Sequence, residues 1–167
     1  ELPAAESLSR KDAWLRSPRA LGGWADRLAP VRSVPQRWGY RNKATLHARW
    51  DAGAWRFGLL APLRPGERPV KPALREVIAI PDCPLHSERI RALTRAWSAP
   101  GALPGPAELP LAYLQISGTL VTLVVKARAL GAEAHGARRA QETALASWGF
   151  TGLWVNLHPS AGRRVLS

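Results

Sequence analysis

Residues 38–43, Trp-Gly-Tyr-Arg-Asn-Lys, place two aromatic rings, two cations and an amide within six positions. Arg41 and Lys43 can neutralise phosphates, and Asn42 can hydrogen-bond a backbone or a base edge. Trp38 and Tyr40 can stack on bases or pack against a sheet edge. A solvated strand edge with a turn asparagine would carry the same residues by chance. Other reactive side chains are scattered. The single cysteine, Cys83, sits in Pro-Asp-Cys-Pro (81–84); alone it forms neither an internal disulfide nor a structural zinc site. As a nucleophile Cys83 would need acidifying cations around it; as a small apolar residue at a strand end it needs nothing. His47, His86, His135 and His158 lack zinc-ligand spacing. Gly22-Gly23 and Gly149/Gly152 lack the spacing and context of a dinucleotide fingerprint. The sequence thus predicts no catalytic, cofactor or metal site within this chain.

Twenty-four Lys and Arg face twelve Asp and Glu, a net charge of +12. Residues 1–75 hold 15 basic and 6 acidic side chains; residues 76–167 hold 9 and 6. Most of the excess therefore lies in the half that carries the aromatic–basic stretch, which favours a polyanionic partner by steering and counterion release. Twenty of the cations are Arg, so heavy Arg usage alone could give the same balance. No apolar run approaches membrane-spanning length, and no secretory leader is visible. With one cysteine, a cytoplasmic location is the expectation. The chain begins at Glu1 and has no Met, which suggests a piece of a longer protein.

Periodicity supplies the elements that would hold these residues. Residues 7–16 predict a helix with Ser9 as N-cap and Asp12 three positions on, broken by Pro18 and followed by Gly22-Gly23 as a stop. Residues 29–35 read as extended chain. Residues 43–51 and 54–60 predict a hairpin about Ala52-Gly53. Residues 61–75, rich in proline and cations, are a solvated loop, and residues 76–80 a short buried strand. Residues 87–97 form a helix with Ile90, Leu93 and Trp97 inward. A second Pro/Gly loop covers 98–110. Residues 111–116 and 120–127 form another hairpin. Residues 133–148 form a helix with Ala137, Ala140, Ala144, Leu145 and Trp148 inward, closed by Gly149. Residues 151–158 are a strand, and residues after a turn at 159–162 return as its partner. Trp14, Trp97, Trp148 and Trp154 are expected core anchors. Hairpins separated by helices imply an α+β fold: an antiparallel or mixed sheet with about three helices packed on it.

"WGYRNKA" (38–44), a hairpin, and "EVIAIPDCPLH" (76–86) together resemble the bacterial RNA uracil-C5 methyltransferases. "FTGLWVNLHPSAGRRVLS" (150–167) looks like the hairpin that ends their central domain. The resemblance covers residues 30–167 as a central RNA-binding-like domain, with residues 1–29 as a helical lead-in. It implies ribosomal or transfer RNA as partner, contacted by Arg41, Asn42, Lys43, Tyr40 and Trp38. It also implies S-adenosylmethionine as cofactor of a catalytic domain following in the parent chain, with none bound here. Cys83 matches one ligand position of the iron–sulfur cluster found in some members, but the other three cysteines are missing, so no cluster is expected. The loop at 61–75 is longer and richer in proline than the family's usual connection. The competing expectations are a stand-alone enzyme using Cys83 or a histidine, and a protein-interaction or structural module with no RNA role.

Overall fold

The computed structural model describes residues 3–17, 19–20, 22–32, 36–63 and 75–160. Its chain divides into two compact units, Glu1–Arg37 and Trp38–Ser167. In the first, helix α1 spans Ala4–Leu15 and a 3-10 helix spans Gly22–Arg27. Helix α1 starts well before Ser9, because Ala4, Ala5 and Glu6 are good helix formers and Pro3 stands at the N-cap. Asp12 is no capping partner. Its carboxylate accepts from Arg16 Nε at 2.7 Å and from the Val31 amide at 3.3 Å. Arg16 in turn donates to the carbonyls of Ala25 and Leu28. One ion pair thus ties the helix to the segment after it. Gly22-Gly23 opens the 3-10 helix rather than stopping the chain, and Trp14 is 66% exposed rather than a core anchor. Pro18 and residues 33–35 lie outside the described residues.

The second unit is a six-stranded mixed sheet with two helices, which with α1 gives the expected α+β class and three α-helices. The strands are β1 (Lys43–Asp51), β2 (Ala54–Leu60), β3 (Val77–Ala79), β4 (Leu111–Ser117), β5 (Leu120–Val125) and β6 (Gly152–Leu157). Helix α2 spans Glu88–Trp97 and α3 spans Ala132–Ser147. The sheet order is β3-β2-β1-β4-β5-β6. Both expected hairpins form, β1–β2 and β4–β5. Strand β1 is central and pairs antiparallel with β2 and β4. Strand β6 lies parallel to β5, reached through α3 as a strand–helix–strand crossover. The residues expected to return after β6 lie largely outside the described ones.

Alternation along β1 decides which side is buried. Ala44, Leu46, Ala48 and Trp50 face a core that includes Phe57, Leu114, Ile116, Val121 and Leu153 from the sheet. Ile90, Leu93 and Trp97 of α2 and Ala134 and Leu145 of α3 close it from above. Trp148 packs against this core, half-buried. Ala140 is exposed, so the inward face of α3 is narrower than its alanines suggest. Gly149, at φ 77°, ends α3: its amide donates to Ala146 and that of Phe150 to Leu145.

Two further expectations about burial fail. Strand β3 is an edge, with Ile78 48% and its neighbour Leu59 53% exposed. Trp154 is 63% exposed, because it faces away from the core on edge strand β6. Both are apolar residues in short strands, for which composition does not separate centre from edge.

Strand β3 approaches β2 closely at Gly58. A Cβ built there would stand 1.8 Å from the Ile78 carbonyl oxygen and 2.9 Å from the Ala79 Cα. Backbone cannot yield as a flexible side chain does. Gly58→Ala should therefore cost at least about 2 kcal/mol, on the scale of overpacking. It should also speed hydrogen exchange at the Ile80 amide, which donates to Phe57 across this edge. Unchanged denaturation midpoints and exchange would show that β3 shifts freely.

Candidate nucleic-acid interface

The stretch at 38–43 is held by its main chain. Gly39 has φ 65°, a left-handed conformation that favours glycine. Its amide donates to the Pro84 carbonyl at 2.8 Å. The Arg41 amide donates to Leu85 at 2.9 Å, and the Ser87 amide donates to the Arg41 carbonyl at 2.9 Å. Arg41 and His86 thus form an isolated parallel bridge. The Gly118 amide, in the β4–β5 turn, donates to the Asn42 carbonyl at 2.9 Å. The aromatic–basic stretch and the Asp-Cys-Pro turn, more than forty positions apart in sequence, are therefore clasped backbone to backbone.

Because the main chain does the holding, the side chains point outward. Trp38 is 46% and Tyr40 52% exposed, and Arg41, Asn42 and Lys43 are exposed. The side chains of residues 40–43 make no hydrogen bond or ion pair with another described residue. All five residues singled out in the sequence come together at the surface. Strand β1 begins at Lys43, however, and Arg41 lies outside it. Strand alternation, which would give Arg41 and Lys43 a common face, is thus not imposed at Arg41. Lys43 edges a groove of about 370 Å³ along β1 and β4, with Thr45, Gln115 and Ser117 in its wall.

The other half of the clasp is braced by α2. The Asp82 carboxylate accepts from Arg91 Nε and lies 3.6 Å from Arg95 Nη1. Glu88 pairs with both arginines, at 3.1 and 2.7 Å. Thr94 Oγ1 donates to the Pro81 carbonyl at 2.7 Å. The Arg91 guanidinium holds the Asp82 carboxyl below its ordinary value, with Arg95 assisting. Cys83 is half-buried, and its carbonyl accepts the His86 amide. Among the described residues no group of three or more His, Cys, Asp or Glu could hold a metal.

Sequence reasoning missed His86, which is 3% exposed directly behind the bridge to Arg41. Its Nδ1 and the Ser87 Oγ have no hydrogen-bond partner among the described residues. Burial, and then the Arg41 charge, push the imidazole below its ordinary pKa. The signal was faint, one histidine closing a turn. Its burial follows from the bridge, which no local pattern announces.

Comparison with protein-family models gives no match, and comparison with curated proteins gives none either. No helix among the described residues is long and apolar enough to cross a membrane.

These environments set the acid stability. His86 and His47 are both held below their ordinary value of 6.5, so the unfolded chain protonates first. Stability should be intact above pH 6.5 and decline as the pH falls below it. Asp82 and Asp12 are held below 3.8, so a second loss should follow as the pH drops through that region. Urea midpoints across pH should show both phases. Asp82→Asn should shrink the second, and His86→Gln the first, leaving the share due to His47. A midpoint flat between pH 7 and 5, or an Asp82→Asn profile superimposable on the wild type, would refute the assignment.

Proposed function

We propose that this chain is a central RNA-binding domain of an S-adenosylmethionine-dependent RNA uracil-C5 methyltransferase, acting on ribosomal or transfer RNA in the cytoplasm and inert in methyl transfer by itself. The observation that carries this is the clasp. The two separated motifs on which the resemblance rests meet through the backbone and turn two cations, an amide and two rings outward. Cations bind phosphate, rings stack on unpaired bases, and the amide supplies a directional hydrogen bond. The net charge of +12 acts in the same sense. In the parent protein a following catalytic domain would bind the cofactor and flip the target uridine out of its stack, while this domain grips the flanking strand.

A protein-interaction module without RNA is the second reading, favoured by one feature. Leu59 and Ile78 stand side by side and exposed at the β3 edge, an apolar pair suited to another protein surface.

A fluorescence titration with RNA at several salt concentrations separates the two. If Arg41 and Lys43 each neutralise about one phosphate, Arg41→Ala/Lys43→Ala should flatten the log–log salt dependence by roughly 1.4 to 1.8 units. The loss of affinity should be similar for unrelated RNA sequences. Tyr40→Ala should weaken single-strand binding by about 1–3 kcal/mol through lost stacking, with the denaturation midpoint unchanged. Equal slopes and affinities for wild type and double mutant would leave the motif a solvated edge and favour the protein-interaction reading.

A further inference from the structure

A second concentration of charge lies toward the far end of β1. A cavity of about 280 Å³ is lined by His47 and Arg49 of β1, by Arg75 ahead of β3, and by Lys126 just after β5. No Asp or Glu is among its described lining residues. Pro106 and Pro110 give it an apolar wall. Arg49 stands directly opposite Arg56 across the β1–β2 ladder, and like charges in that position repel. Asp51 offsets Arg56 at 3.6 Å, whereas among the described residues the Arg49 guanidinium reaches only the Arg75 carbonyl, at 3.5 Å. Burial first, and then Arg75 and Lys126, hold the His47 imidazole below its ordinary pKa. Lys126 is exposed overall, yet desolvation still lowers its pKa. Four basic groups are thus gathered against their mutual repulsion, with no acid in the described wall to relieve them.

We propose that this cavity binds one nucleotide unit, its phosphate held by Arg49, Arg75 and Lys126 with His47 beside them, and its ring or ribose against the Pro106 and Pro110 wall. The cation set selects a phosphate. The proline wall selects something larger than a bare anion. The volume falls just below the usual range of ligand sites, about 300 to 1,000 Å³, so it suits a single nucleotide rather than a dinucleotide. Lys43 and Arg49 are six residues apart on one strand, about 20 Å at the usual rise, so this pocket is distinct from the clasp. The choice of a nucleotide rests on the RNA-binding reading above and extends it to a second anchoring point.

The test is calorimetry of the whole chain with uridine 5′-monophosphate, uridine and inorganic phosphate. The monophosphate should bind more tightly than either fragment. Arg49→Gln/Lys126→Gln should weaken it at least about tenfold, as expected for lost charge-assisted contacts. That variant should melt no lower than wild type without ligand, since it removes repelling charges; Lys126→Gln alone serves if it does not fold. Absence of monophosphate binding, affinity equal to that of inorganic phosphate, or affinity unchanged in the variants would overturn the proposal. Arg41→Ala/Lys43→Ala serves as the control. Monophosphate binding that survives in it, while RNA binding proves independent of Arg41 and Lys43, would sink the clasp reading alone. RNA binding through the clasp without monophosphate binding would sink the pocket alone.

Discussion

The parallel bridge between Arg41 and His86 is the contact on which the second unit is organised. Ser87, whose amide donates to the Arg41 carbonyl, is also the N-cap of α2. Gly118, whose amide donates to the Asn42 carbonyl, belongs to the turn between β4 and β5. Lys43 opens β1. Three consecutive residues, Arg41, Asn42 and Lys43, therefore set the entry of the central strand, the start of a helix and the register of the second hairpin. Each bond is a backbone bond worth about 1 kcal/mol net, but leaving these groups unpaired in a half-buried corner would cost more. The buried His86 imidazole, whose Nδ1 finds no partner among the described residues, is the cost that this geometry leaves behind.

The elements were legible where pattern is dense. Strand β1 shows alternation over nine residues, and the turn at Ala52-Gly53 has positive φ at both positions. Helix α2 carries its apolar stripe at Ile90, Leu93 and Trp97 and starts after Ser87, whose Oγ makes no capping bond. Legibility failed where neighbours decide. Residues 77–79 have the composition of an interior strand, and only the sheet order makes them an edge. The parallel pairing of β5 with β6 depends on where α3 packs. Trp154 looks like an anchor by size, but register with Thr122 assigns it to the other face. Ser9 has the chemistry of a cap, yet alanines upstream extend the helix past it.

The candidate interface was readable for a different reason. Its residues are adjacent in sequence, so their joint exposure needed only one local conformation. Of the basic pocket, only half was visible: His47 and Arg49 are two apart on a strand and share a face, while Arg75 and Lys126 arrive from elements about 26 and 77 positions beyond Arg49. Convergence across such distances is a property of the sheet order alone. Strand β1 links both places, with the clasp at its start and the pocket toward its end.

The clasp has a consequence for how such a chain could diversify. Its fixed contacts run through amides and carbonyls, which every residue except proline supplies equally. Gly39 is constrained by its backbone angle, but the side chains at 40–43 make no hydrogen bond or ion pair with another described residue, and only the Arg41 charge is felt inside, at His86. The stretch behaves as a cassette: its letters can be rewritten while the frame around it stays the same. Two chains sharing this frame could present different chemistry to different ligands, and their shape would not reveal the exchange.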